Sequence, residues 1–303
     1  MTWGMQNTEQ EAHQQLSAAW NEFGLNFMDT AEIYPVPPAA ETQGLTERYI
    51  GSWLKAGGAK REDVVLATKV SGYGRQPYLR EGGKLPRVDA DNIEYALNRS
   101  LERLGTDYVD LLQIHWPDRY VPLFGAQSYN AAQEREGDIP FEEQLRGLER
   151  VVQAGKVRHI GVSNETSYGV MRFIQAAEQL GLPRVVSIQN SYSLLTRGGY
   201  ETDLAEVCAP RQCNARYMAR YNQSLAKQAV GEYVEVAKRH GLTPAQLALA
   251  WCNSRWFMAS VIIGATSMEQ LRENVGAFSV ELSPECLADI DAVYRRYKDP
   301  ALN

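Results

Sequence analysis

The chain has 303 residues, a length that fits either two ordinary domains or one closed α/β barrel of about 250 residues. Hydrophobic residues make up 44% and charged residues 22%, enough for a sizeable core and too little polarity for wholesale disorder. Lys and Arg number 31 against 37 Asp and Glu, and this net charge of −6 implies no cationic face for a phosphate backbone, so no nucleic-acid partner is expected.

Short β-branched or apolar runs alternate with longer segments of helical period, the pattern of βα units around a parallel sheet. Thr8 and Glu11 have capping-box spacing, Ala12, Leu16, Ala19 and Phe23 mark one apolar face, and Gly24 stops the helix. Asn26 to Met28 follows as a strand ending at Asp29. A helix from about Thr46 places Tyr49, Ile50, Trp53 and Leu54 inward, closes at Gly57-Gly58, and precedes a strand from Asp63 to Thr68 that ends at Lys69. After a polar loop from Ser71 to Arg87, the spacing of Ile93, Leu97, Leu101 and Leu104 predicts a helix closed by Gly105. Tyr108 to Ile114 reads as a strand ending at His115, and a second long loop runs to about Asp138 before a helix carrying Phe141, Leu145, Leu148 and Val152. Long loops in compact domains are usually functional. Val157 to Val162 and Val185 to Ile188 are further strands, separated by a helix with Val170, Phe173, Ile174 and Ala177 on one face. Thr243-Pro244 and Ser283-Pro284 mark two helix starts that bracket a last strand, Ser260 to Ile263.

No linker rich in Pro, Gly or Ser divides the chain, so residues 1–303 are read as a single domain. The four cysteines and four histidines show no paired ligand spacing, and no metal site is expected. No apolar run approaches the roughly 18 residues of a membrane span, and no signal peptide is evident. A cytoplasmic location is expected, or an organelle if a targeting segment preceded the chain.

Asp29, Tyr34, Lys69 and His115 each lie at or just after the carboxyl end of a strand, and in a parallel barrel those ends converge on one face. A tyrosine, with a pKa near 10, becomes a useful proton donor at neutral pH when a lysine ammonium close by stabilises its phenolate. The lysine in turn needs a carboxylate to stay protonated in a cleft, the role suited to Asp29, and His115 can orient a substrate oxygen.

In this set the sequence resembles the aldo-keto reductase superfamily. The D-T-A-x-x-Y signature is Asp29-Thr30-Ala31-Glu32-Ile33-Tyr34, the strand-three lysine lies in Ala67-Thr68-Lys69-Val70, and the histidine in Gln113-Ile114-His115-Trp116-Pro117. Further motifs are Gly161-Val162-Ser163-Asn164, Ser187-Ile188-Gln189-Asn190, and Gly264-Ala265-Thr266-Ser267 through Asn274. The segment from Tyr34 to Gly44 is similar to the Tas-type branch, close to the potassium-channel β subunits. The resemblance implies a (β/α)8 TIM barrel and NADPH-dependent reduction of a small-molecule aldehyde or ketone, with Tyr34 as general acid, His115 positioning the carbonyl oxygen, and Lys69 and Asp29 tuning the tyrosine. It further implies that Ser163, Asn164 and Gln189 hold the nicotinamide carboxamide, that Gly264, Thr266, Gln270, Glu273 and Asn274 hold the adenosine end of NADP(H), and that Thr2, Trp3 and Asp29 line the cofactor pocket.

Against the family pattern the barrel is expected to be incomplete. The amino-terminal hairpin is lacking and the first strand is cut to Thr2-Trp3-Gly4. No seventh-strand motif stands where Asn214 meets Ala215. A shortened, impaired form and a non-catalytic nucleotide-binding regulatory relative are therefore the alternative readings. Substrate identity and oligomeric state do not follow from the residues.

Overall fold

The fold, seen in a computed structural model, is described for residues 1–123, 128–208 and 224–301. It is α/β, and five strands lie in one sheet in the order β1-β2-β3-β4-β5: β1 Phe27–Asp29, β2 Val65–Val70, β3 Val109–Ile114, β4 Val157–Ser163 and β5 Val185–Gln189. The pairings of β1 with β2, β2 with β3 and β3 with β4 are parallel. Parallel neighbours need crossovers, and α2 (Leu45–Lys55), α3 (Ala90–Leu104), α4 (Phe141–Gln153) and α5 (Ser167–Leu180) supply them, while α1 (Glu9–Asn21) precedes β1. This is an incomplete (β/α)8 barrel.

Residues cluster into two compact units. The first holds residues 1–120, 135–186 and 264–268; the second holds 121–134, 187–263 and 269–303. In the first, consecutive helices pack side by side, α1 on α2, α2 on α3, α3 on α4 and α4 on α5. The periodic apolar positions explain it: Ile93, Leu97, Leu101 and Leu104 of α3 and Leu145 and Leu148 of α4 are all buried, each such side chain contributing about 1.5–3 kcal/mol. Thr8 and Glu11 form the expected capping box, and Gly105 closes α3 in a left-handed conformation at φ 66°.

The second unit holds α6 (Gly198–Glu201), α7 (Leu204–Cys208), α8 (Ser224–Arg239), α9 (Pro244–Asn253), α10 (Met268–Gly276, but for its first residue) and α11 (Pro284–Arg296). Thr243 and Ser283 cap α9 and α11 with their hydroxyls, as their placement before proline predicts. Tyr192 belongs to this unit's aromatic core, stacked on Trp251 at 5.2 Å between ring centroids.

Three expectations change. Ser260 to Ile263 forms no strand, because a strand needs a neighbour for its N–H and C=O groups and no strand follows β5 among the described residues. Thr2 and Trp3 sit in a turn closed by an isolated bridge between Trp3 and Asn7, with Thr2 O accepting from the backbone of Met5 and Gln6. The strand read from Asp63 begins at Val65, since Arg61–Asp63 winds into a 3-10 turn, and it continues through Lys69 to Val70. The junction of Asn214 and Ala215 lies outside the described residues.

Helices α2 and α3 are closely fitted at Gly51. A Cβ at Gly51 of α2 would stand 2.5 Å from the carbonyl oxygen of Arg103 and 2.8 Å from the carbonyl carbon of Leu104, both backbone atoms at the end of α3. Gly51→Ala is therefore expected to destabilise the fold by about 1–3 kcal/mol in urea denaturation. An unchanged midpoint would mean that α2 and α3 separate without cost.

Candidate active site

Side chains alternate faces along a strand, and the register of the parallel pairs decides which of them meet. Lys69 stands opposite Gln113, and Asp29 opposite Ala67, two residues before Lys69 on the same face. Asp29, Lys69, Gln113 and His115 thus share one face near the carboxyl ends of β1, β2 and β3. The side chain of Lys69 is wholly buried, and its Nζ donates to Asp29 Oδ2 at 2.6 Å and to the Thr30 carbonyl at 2.7 Å. The other Asp29 oxygen accepts from Gln113 Nε2 at 3.1 Å. Burial depresses the Lys69 pKa below the usual lysine range, while the charge and hydrogen bond of Asp29 and the charge of Glu47 oppose that shift.

Tyr34 lies in the loop after β1, its backbone held by hydrogen bonds to Ala31 O and from Gly44 N. Its buried ring packs with Ala31, Ile33 and Leu79, and Lys69 Nζ is 5.2 Å from the ring centroid. His115 meets the same ring edge-on, 5.5 Å between centroids, and leans on Trp116 at 4.8 Å. The four residues singled out in the sequence are therefore brought together. His115 Nδ1 is buried with no hydrogen-bond partner among the described residues. Burial, reinforced by the charge of Lys69, holds the His115 pKa well below the ordinary histidine range, so the imidazole is neutral at physiological pH.

Ser163 ends β4, and Asn164 follows it in the left-handed region at φ 53°. Asn164 Nδ2 donates to the His115 carbonyl at 2.8 Å, which ties β4 to the histidine. Gly264 and Thr266 are exposed, and Thr266 O accepts from Asn7 Nδ2 at 2.9 Å. Trp3 spends its single donor on Gln15 Oε1 at 2.8 Å. Gln189, Gln270, Glu273 and Asn274 belong to the second unit, where the Glu273 carboxylate accepts the Thr243 hydroxyl at the start of α9, 2.5 Å away.

Several buried groups next to this cluster were not singled out by sequence reasoning. Gln113 could have been found, because period-two alternation puts it on the face of His115 in a strand whose other polar residue, Asp110, lies on the opposite face. Glu32 and Arg80 form a buried ion pair, Nη1 to Oε2 at 2.8 Å and Nη2 to Oε1 at 3.2 Å. Glu47 is fully buried on the outer side of β2, between the Thr68 hydroxyl at 2.6 Å and Arg103 Nε at 2.6 Å. Such distant pairings leave no local signal in the chain.

The Aldo/keto reductase family model matches residues 1–295. The chain belongs to the aldo/keto reductase family. It is 42% identical to the protein named "Protein tas" from Escherichia coli (strain K12), over 99% of this chain and 94% of that protein. It is 34% identical to an "Aldo-keto reductase" from Babesia bovis, over 78% of this chain and 98% of that protein. A "Putative voltage-gated potassium channel subunit beta" from Schizosaccharomyces pombe is 30% identical over 92% of this chain and 82% of that protein. Membership makes this aldo/keto reductase an oxidoreductase acting on a small molecule. No described helix is long and apolar enough to cross a membrane.

The neutral, buried His115 has a consequence for the stability of this family member. Its folded pKa lies below that of an unfolded histidine, near 6.5, so between the two values the unfolded chain binds the extra proton and stability falls as pH falls. Relative to His115→Gln, the wild type is expected to lose about 1.4 kcal/mol per pH unit below about pH 6.5 in denaturant titrations. Parallel stability profiles for the two proteins would show that the imidazole already carries a proton when folded.

Proposed function

We propose that this aldo/keto reductase catalyses the NADPH-dependent reduction of an aldehyde or ketone, with Tyr34 as the general acid. The observation that carries the reading is the Lys69 ammonium, wholly buried between Asp29 and the Tyr34 ring, beside a neutral His115 with an unpartnered Nδ1. A buried cation is costly, and its place next to a phenol suits a reaction in which that phenol becomes negative.

The residues of the first unit suit a nicotinamide nucleotide. Asn164 commits its amide donor to the His115 carbonyl, leaving Oδ1 to accept from a carboxamide NH2, and Ser163 is adjacent. Gly264 and Thr266 are exposed, and the Thr266 carbonyl is tied to Asn7 of the amino-terminal turn. Gly264 and Thr266 would then hold the adenosine end. The chemistry supplied by bound NADPH is donation of a hydride to the carbonyl carbon.

His115, kept neutral by burial, points the carbonyl oxygen at Tyr34 through a hydrogen bond. Tyr34 gives its hydroxyl proton to that oxygen as the carbon–oxygen double bond is reduced to an alcohol, and the phenolate left behind faces Lys69. Asp29, fixed by Gln113, keeps the lysine charged through the step. Trp116, half-buried against the cluster that holds the Tyr34 ring, favours a substrate with an apolar body.

Tyr34→Phe tests the reading. Carbonyl turnover is expected to fall by about 100-fold or more, while NADPH still quenches tryptophan fluorescence with an unchanged midpoint and binds more tightly than NADH. Equal turnover in the two proteins would remove Tyr34 from the mechanism, and preference for NADH would reverse the cofactor assignment.

A further inference from the structure

Glu32 and Arg80 are both buried, and the mechanism above gives their ion pair no chemical step. A buried pair of this kind is weak evidence for stability, since hydrophobic residues of similar volume often do as well or better. Its connections, however, converge on the two residues whose distance matters most. The Glu32 backbone N–H donates to the Lys69 carbonyl at 3.3 Å, and Glu32 Oε1 accepts from Ser71 N at 2.7 Å, so Glu32 grips the strand end on both sides of Val70. Tyr34 lies only two residues further along the same loop. The Glu32 carbonyl accepts from Gln43 Nε2 at 2.5 Å, next to Gly44, whose N–H holds the Tyr34 carbonyl.

Arg80 completes the connection. Its guanidinium meets both Glu32 oxygens, donates from Nη1 to the Leu79 carbonyl at 2.9 Å, and donates from Nε to Asn92 Oδ1 at 2.7 Å at the start of α3. Leu79 is one of the side chains packed in the cluster of the Tyr34 ring. Every donor of the arginine fork used here is directed, which a lysine point charge would not reproduce.

We infer that the Glu32–Arg80 ion pair is a positioning device that fixes the Tyr34 phenol at its distance from the Lys69 ammonium. The inference rests on the reading of Tyr34 as the general acid. Loosening the pair moves the Tyr34 loop and Leu79 relative to the end of β2, and small displacements of a reacting group are enough to cost large factors in rate. A weaker hold on the lysine side also leaves the phenolate less stabilised, because the Lys69 ammonium stands 5.2 Å from the ring centroid.

The test uses the full chain and two substitutions of different severity. Glu32→Gln combined with Arg80→Met removes both charges but keeps an acceptor for Ser71 N, and Arg80→Lys keeps the charge and loses the fork. The expected result in the double variant is a fall in kcat of about 10- to 100-fold with KM and the NADPH dissociation constant within about threefold, and a smaller fall in Arg80→Lys. The ionisation midpoint of Tyr34, read as the phenolate absorbance lost on adding Tyr34→Phe to each background, is expected to rise by about one pH unit in the double variant. A purely structural pair would move the unfolding midpoint and leave both readouts alone. Wild-type kcat and an unshifted Tyr34 midpoint in folded Arg80→Lys and in the folded double variant would overturn the inference. The absorbance titration needs no turnover: a wild-type chain that reduced no carbonyl would sink the functional reading, while a shifted midpoint would still uphold the positioning role.

Discussion

The ammonium of Lys69 has been taken out of water on the inner face of the sheet, and much of the first unit is arranged around that fact. Removing such an ion from solvent costs several kcal/mol after relaxation, which is recovered only with good geometry and full hydrogen bonding. Two oxygens lie within 2.7 Å of Nζ, one carboxylate and one carbonyl, and the carboxylate is itself fixed by Gln113 from the next strand but one. The pair therefore spans β1, β2 and β3. A slip of β2 by a single residue would turn Lys69 toward α2 and bring Thr68 inward, stranding Asp29 and Glu47 together, so the ion pair and the register of the sheet enforce each other.

Beyond the strand ends, three buried or half-buried ion pairs join successive βα loops by the same chemistry. Glu32 after β1 meets Arg80 after β2, Asp118 after β3 meets Arg87 after β2, and Glu165 after β4 meets Arg119 after β3. In each, both carboxylate oxygens face the arginine fork, and the carboxylate also accepts backbone N–H groups: Ser71 for Glu32, Val88 and Ile139 for Asp118, and Thr166 for Glu165. Long loops with exposed backbone would be mobile if held by apolar contacts alone. Directional, bidentate pairs give them a fixed shape, and the loops after β2 and β3 are further locked where Trp116 Nε1 donates to the Tyr73 carbonyl.

How much of this could be read from the chain depended on range. Helical faces such as Ile93, Leu97, Leu101 and Leu104 were legible because their signal repeats within one segment, and so were the strands β1, β2 and β3 to within a residue or two of their bounds. The site residues at strand ends followed from those strands. Arg80 and Glu32, 48 residues apart, carry no periodic or motif signal, because what pairs them is the juxtaposition of two loops that only the folded sheet creates. Ser260 to Ile263 failed for the opposite reason: its local composition is strand-like, but the strand state requires a partner, and no local pattern records whether one is present.

The same residue types do different work at the other end of the strands. Asp110, near the start of β3, accepts from Arg61 at 2.8 Å, Arg158 at 2.6 Å and Leu66 N at 2.9 Å, and the two guanidinium groups lie 3.9 and 4.4 Å from the Tyr108 ring centroid. Burial would raise the Asp110 pKa, yet the hydrogen bonds and the two arginines outweigh it and hold the carboxyl below the usual range. Every charge there is shared and saturated, which suits an anchor. At the carboxyl ends the balance is unequal: Lys69 is held below its ordinary pKa, and His115 keeps a buried nitrogen with no hydrogen-bond partner among the described residues. Asp110 and its two arginines serve as an anchor, whereas a desolvated ammonium beside a neutral imidazole suits stabilising a negative charge that forms between them. That difference between the two ends of one sheet, rather than any single residue, is what favours the carboxyl ends as the site proposed above.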